Sequence, residues 1–176
     1  MSSRFVYVTY IRTTPAKLWD ALMKPEFTRR YWHGMHHESD WQVGSSWQMI
    51  FPEDLVHHGQ MVNGRVCDTG EILAIEPPTR LVLKWRNEFR PDLKAEGYTR
   101  CTFDIVAHGE VTELRVIHEI DLDRSKMIEA VSSAWPNVLS QLKSFLETGK
   151  PLDFDAEAHR QPADGGERAM VEAPAA

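Results

Sequence analysis

The sequence predicts an α+β fold, an antiparallel sheet with one face covered by a long C-terminal helix and with two short helices after the first strand. Three observations carry this. The apolar period is two over most of residues 46–120, the alternation of a half-buried strand. After Ser125 it changes to three- and four-residue steps, so that Trp135, Leu139, Leu142 and Leu146 form one helical stripe. The strand candidates follow one another through short turns, which suits antiparallel pairing.

Phe5 to Ile11 is β-branched and aromatic, a first strand. It stops at Thr13-Thr14-Pro15, where Thr14 suits a helix cap and Pro15 the first turn. Leu18, Trp19 and Leu22 then recur at helical spacing, and Lys24-Pro25 ends that helix. Glu26 to Tyr31 reads as a second short helix. From Ser46, Trp47, Met49 and Phe51 share one strand face, and Pro52 ends it. Between Glu53 and Thr69, Gly59, Asn63 and Gly64 indicate a loop or short hairpin. Glu71 to Glu76 is a strand closed by Pro77-Pro78. Leu81, Leu83 and Trp85 alternate with polar neighbours, as do Cys101, Phe103 and Ile105. His108-Gly109-Glu110 is a tight turn, and Leu114, Val116, His118 and Ile120 face inward on the last strand. Ser125 starts the long helix. Pro136 removes a backbone donor inside it and predicts a kink or break near Ser132 or Ser133. Gly149 and Pro151 stop it.

The chain has 176 residues, a hydrophobic fraction of 42% and a net charge of −6, with six Trp and seven Met. Residues 1–152 are expected to form one domain that needs no disulfide or metal to hold its core. Residues 153–176 are rich in Ala, Pro, Gly and acid and read as a flexible tail. No basic field is present to engage phosphate backbones, so nucleic acid is not expected as a partner. No apolar run is long enough to span a membrane, and no signal peptide precedes the first strand. Cys67 and Cys101 are too few for a secreted disulfide framework, which points to the cytoplasm.

Four segments carry a resemblance to a known family. They are Pro15 to Leu22, then Gly70 to Trp85 with its Glu-Pro-Pro-Thr-Arg-Leu centre, then Leu114 to His118, and Trp135-Pro136 through Gly149. Together and in order they resemble the SRPBCC/START helix-grip superfamily. Within it they resemble the bacterial branch related to the activator of the ninety-kilodalton heat-shock chaperone's ATPase, which is polyketide-cyclase-like. The resemblance spans about Phe5 to Leu152. It implies a curved antiparallel sheet wrapped around the long C-terminal helix. The chain departs from the family at Gly44-Ser45, where many members have paired glycines, and in a longer stretch from Pro52 to Thr69.

These motifs determine a fold, and function has to be argued from a site. The leading expectation is a binding module for a small hydrophobic or aromatic metabolite between sheet and helix, with no cofactor and with a monomeric or homodimeric chain. The expected lining is Trp32, Trp47, Met49, Trp85, Phe103, His118, Trp135 and Leu139, rigid aromatics beside flexible thioethers; Met61 is a further adaptable side chain. His118, inward by alternation, is either a ligand contact or a core histidine satisfied by a neighbour. An alternative is a polyketide-cyclase-like enzyme in which His118, with a carboxylate or Tyr98, moves a proton. A third is a co-chaperone-like interaction protein, weakened because eukaryotic activators carry a further N-terminal domain. His33, His36 and His37, with His57 and His58, are the only metal-like cluster. They lack thiolates and read as a solvated polar loop. Cys101 is expected in the core and Cys67 partly exposed. The nucleophile elbows, phosphate loops and metalloprotease helices of common enzymes are absent.

Overall fold

The computed structural model describes residues 2–152 apart from residues 54, 55, 58, 59, 62 and 63, with residues 56, 57, 60 and 61 described through the backbone alone. The tail expected from Asp153, and His58 of the histidine cluster, lie outside the described residues; so do the side chains of His57 and Met61.

Strand β1 (Ser3–Ile11) leads through the Thr14 cap, whose hydroxyl accepts from Lys17 N, into α1 (Pro15–Met23). Helix α2 (Pro25–Tyr31) follows at once, started by Pro25, and its Tyr31 hydroxyl donates to the Ala21 carbonyl in the core. Strands β2 (His36–Ser39) and β3 (Ser46–Ile50) form the next pair. Short strands β4 (Val56–His57) and β5 (Gln60–Met61) pair with each other in a separate ladder, the hairpin alternative for this stretch. Strands β6 (Val66–Glu76), β7 (Arg80–Asn87), β8 (Thr99–His108) and β9 (Val111–Ile120) complete the sheet, with α3 (Pro91–Lys94) between β7 and β8. Helix α4 (Lys126–Thr148) ends the described chain, closed by Gly149 in the left-handed region at φ 79°.

The main sheet has seven antiparallel strands in the order β1-β9-β8-β7-β6-β3-β2. It is curved and unclosed, its edges being β1 and β2. Strands β3, β6, β7, β8 and β9 lie side by side in chain order, and the first strand returns beside the last. Register shifts at Met49/Ile50 and Ile72/Ala74 mark bulges, which bend the strands they interrupt. The inner face carries Trp47, Met49, Ile72, Leu83, Trp85, Cys101, Phe103, Leu114 and Val116, all buried.

Four expectations need correction. Of the kink or break expected near Ser132 or Ser133, the break does not occur: helix α4 runs unbroken through Pro136. Proline removes one helical bond, and the stripe on both sides of it, Trp135, Val138 and Leu139, is buried against the core and holds the axis together. Strand β6 starts at Val66 rather than Glu71, because pairing with β3 recruits residues of mixed polarity. His36 and His37 lie on strand β2 instead of a polar loop, and β2 and α3 have no counterpart in the expected elements. Cys67 is buried, not partly exposed.

Candidate functional site

Three inward rows across the sheet place the site. In one, cross-strand pairing aligns His37, Met49, Asp68 and Asn87. In the next it aligns Ser39, Trp47, Gly70, Trp85 and Thr99. Further along, Cys101 pairs with His118, and His118 with Phe5. Gly70 has no side chain to stand between its neighbours, and the rings of Trp47 and Trp85 meet at a centroid distance of 4.5 Å. Aromatic side chains covering a strand glycine in this way recover the burial that glycine gives up.

The aromatic contacts continue to the helix. Trp85 meets Trp135 of α4 at 5.9 Å, Trp135 meets Trp32 at 5.4 Å, and Trp32 meets His37 at 5.1 Å, all three edge to face. Such offset geometry is what ring quadrupoles favour.

His118 is fully buried and both ring nitrogens are engaged. Nε2 lies 2.6 Å from the Thr99 hydroxyl, and Nδ1 lies 3.3 Å from Trp135 Nε1. The Thr99 hydroxyl also donates to the Trp85 carbonyl at 3.0 Å. An indole nitrogen can only donate, and a hydroxyl has one proton. The directions are therefore fixed: Trp135 N–H donates to Nδ1, Nε2–H donates to Thr99, and Thr99 donates to Trp85. That arrangement requires a neutral ring, and burial pushes the His118 pKa down to about 3. His37 is held low in the same way, by burial and then by His36, to about 3, and its Nδ1 accepts from Trp47 Nε1 at 3.1 Å.

Between this layer and α4 lies a cavity of about 290 Å³. Its walls are Trp32 and Met35 after α2, Met49 of β3, Trp85 of β7, Leu93 of α3, and Met127, Val131, Trp135 and Val138 of α4. Ala130 and Ala134 also border it on α4. Asp68, Asn87 and Arg90 supply the polar groups. Larger depressions, of about 530 and 570 Å³, lie on the outer sheet face among charged side chains such as Arg80, Asp104 and Arg115, or Lys84, Arg100 and Glu119. Size alone does not make those ligand sites; an apolar concavity with few converging polar groups does.

Of the eight side chains expected to line a cavity, Trp32, Met49, Trp85 and Trp135 border this one. Trp47, Phe103, His118 and Leu139 are buried behind it in the packed core. His118 thus holds Trp135 rather than facing the space, because the protein already occupies both its nitrogens. Tyr98 does not converge with it: that ring is 41% exposed and lies under Lys84 and Arg86. The proton-transfer pair of His118 and Tyr98 has no geometric basis. The histidines of the cluster separate as well. His33 Nε2 accepts from Gln141 at 3.2 Å, His36 Nε2 lies 3.3 Å from Glu38, and His37 turns into the core. Among the described residues, no three His, Cys, Asp or Glu side chains gather to hold a metal ion.

Sequence reasoning missed Asp68, Asn87, Met35, Leu93 and Met127. Asp68 keeps step with Gly70 and Ile72 on β6, a register that shows only when the pairing with β3 extends the strand back to Val66.

A family model described as Activator of Hsp90 ATPase homolog 1-like protein matches residues 12–147. Among solved structures, CalU16 from Micromonospora echinospora is 19% identical with a TM-score of 0.61, over 84% of this chain and 78% of that one. The Aha1 dimer from Colwellia psychrerythraea is 16% identical with a TM-score of 0.62, over 84% and 98%. An HSP90 activator from Plasmodium falciparum is 18% identical with a TM-score of 0.62, over 81% and 95%. At these identities the likeness shows the fold. No match is found among curated proteins.

Proposed function

We propose, from the premise that the chain belongs to the family of Activator of Hsp90 ATPase homolog 1-like proteins, that it binds a small hydrophobic or aromatic molecule in the cavity between sheet and α4. The observation that supports this is the cavity of about 290 Å³ walled by three tryptophans and three methionines. A cleft of this size holds several waters, each with a share of liquid volume of about 30 Å³, against mostly apolar walls. Apolar surface left in water is unfavourable and makes fewer dispersion contacts than a packed interior. A ligand restores those contacts. The thioethers of Met35, Met49 and Met127 adapt to its outline, while the indoles set its plane.

Ala130 borders the cavity from α4 and is half-buried, so a large side chain there fills the entrance without replacing a core group. Native mass spectrometry of the purified protein is expected to find a co-purified small molecule, and titration calorimetry to detect binding of the apolar probe 2-methylnaphthalene. Ala130→Trp is expected to abolish both while keeping the far-UV spectrum. Failure of the unmodified protein to bind the probe, or equal binding by the variant, overturns the reading.

No helix of the described residues is long and apolar enough to cross a membrane.

A further inference from the structure

The cavity is apolar except at one corner, where two buried residues with polar groups border it. Asp68 is 5% exposed and Trp85 4%, and both border the space. They sit diagonally on neighbouring strands: Asp68 pairs with Asn87 and Gly70 with Trp85. One carboxylate oxygen of Asp68 accepts from Asn87 Nδ2 at 2.8 Å. The Asn87 amide cannot turn away, because its oxygen accepts from the Arg90 backbone N–H at 2.7 Å. The Trp85 indole nitrogen, buried, has no acceptor at full hydrogen-bonding geometry, although its N–H reaches toward the Asp68 carboxylate as a loose hydrogen-bond donor. Burial raises the Asp68 pKa against the pull of Cys67, Asn87 and Trp85. A buried donor without a well-formed acceptor is unfavourable, and here it stands beside a carboxyl group that could share a bridging partner with it.

Arg90 does not resolve this, since its guanidinium is held in a two-point pair with Asp92, the shorter contact at 2.9 Å. A group that both donates and accepts does. The geometry points to Asp68 and the Trp85 indole N–H as a joint recognition point for a hydroxyl on an aromatic or alicyclic ligand, the hydroxyl donating to Asp68 and accepting from Trp85 Nε1. This rests on the cavity being the ligand site. A carboxylate on the ligand would be repelled by Asp68. An ammonium group would pair with Asp68 but leave the Trp85 N–H unanswered and facing a cation. An unsubstituted hydrocarbon would leave both groups as they are. Of these groups, only a hydroxyl satisfies both.

The experiment is titration calorimetry of the full chain with three probes of one shape: 2-naphthol, 2-methylnaphthalene and 2-(aminomethyl)naphthalene. The unmodified protein is expected to bind 2-naphthol about tenfold more tightly than 2-methylnaphthalene, the effect of one net buried hydrogen bond. Asp68→Asn keeps the side-chain outline but turns an amide donor toward the indole, and Trp85→Phe keeps a ring without the N–H. Both are expected to bring the ratio of the two affinities to near unity. The ratio is the readout because a merely structural loss lowers both affinities alike, and either variant suffices if the other does not fold. A ratio near unity in the unmodified protein, a ratio that survives both substitutions, or tighter binding of the amine than of the naphthol overturns the inference. If none of the three probes binds, the cavity reading itself has failed; if 2-methylnaphthalene binds without preference for the hydroxyl, only this inference has.

Discussion

The indole N–H of Trp135 donates to Nδ1 of His118 across 3.3 Å, and this contact ties the helical wall of the cavity to the sheet. Its direction is set two bonds away, where the Thr99 hydroxyl donates to the Trp85 carbonyl and so must accept from His118. His118→Phe keeps an aromatic ring but removes both bonds, leaving the buried Trp135 N–H without its acceptor. The expected loss is about 2–3 kcal/mol of stability, the penalty of orphaning a buried donor, with the fold retained. Urea unfolding followed by tryptophan fluorescence measures it. A loss under ~0.5 kcal/mol would show that the helix does not depend on this bond.

Mild acid should weaken the protein well above the range where carboxylates titrate. His37 and His118 stay neutral in the folded state to about pH 3, their pKa values pushed down mainly by burial. In the unfolded chain they take up protons below about pH 6.5. The unfolded state then binds more protons, so stability is fully present above pH 6.5 and falls as pH is lowered through it. At pH 5 each ring accounts for a loss of about 2 kcal/mol. Glu88 behaves differently. Burial works to raise its pKa, but contacts with Lys94, Thr69 and Arg86 outweigh it and hold it at about 2. Its contribution is present above about pH 4.5 and is lost only as pH falls toward 2. Urea midpoints at pH 7.5 and 5.0 separate the two, and equal midpoints would contradict the buried neutral histidines.

Strong periodicity was legible in the sequence, and weak periodicity was not. Leu81, Leu83 and Trp85, or Leu114, Val116 and Ile120, announce a face because every second residue is largely apolar. Val66 to Gly70 does not, because Asp68 and Gly70 occupy inward positions that only the pairing with β3 and β7 reveals. The polar corner of the cavity was lost for that reason. The convergence of Trp32, Trp47, Trp85 and Trp135 followed from packing a helix on a sheet face, and the ring contacts match it. Whether an inward side chain faces a void or a neighbour depends on distances of a few ångströms. Sequence alternation carries no such information, which is why His118 and Trp85 looked alike.

The start of α4 is held from outside the helix. Ser125 caps it through Ile128 N, and Glu96, from the turn after α3, accepts from the Ser125 hydroxyl at 2.6 Å, Lys126 N at 2.8 Å and Met127 N at 3.0 Å. One carboxylate therefore satisfies orphan amides of the first turn and meets the positive end of the helix dipole. Burial works to raise the Glu96 pKa, but these contacts prevail and lower it. Glu96→Ala is expected to cost about 1–2 kcal/mol and to speed amide exchange at Lys126 and Met127. Unchanged exchange there would mean that Ser125 caps the helix alone. Met127 borders the cavity, so the same variant should also weaken ligand binding.

Gly70 is the position where the sheet and the cavity make the same demand. A Cβ added there would stand 1.6 Å from the Lys84 carbonyl oxygen, a backbone atom that no rotamer change can move. Gly70→Ala must therefore push β6 away from β7 at the pair Gly70–Trp85, directly under the Trp47–Trp85 contact. Overpacking of this kind is expected to cost about 3 kcal/mol. The local consequence distinguishes it from general destabilisation: Trp85 moves with its strand, and the cavity wall moves with Trp85. Binding of 2-methylnaphthalene should then fall at temperatures where the variant is still folded. A variant that lost stability yet bound the probe normally would show that the wall is not set by this close approach. One that kept both would show that β6 and β7 do not lie as near each other as the structure has them.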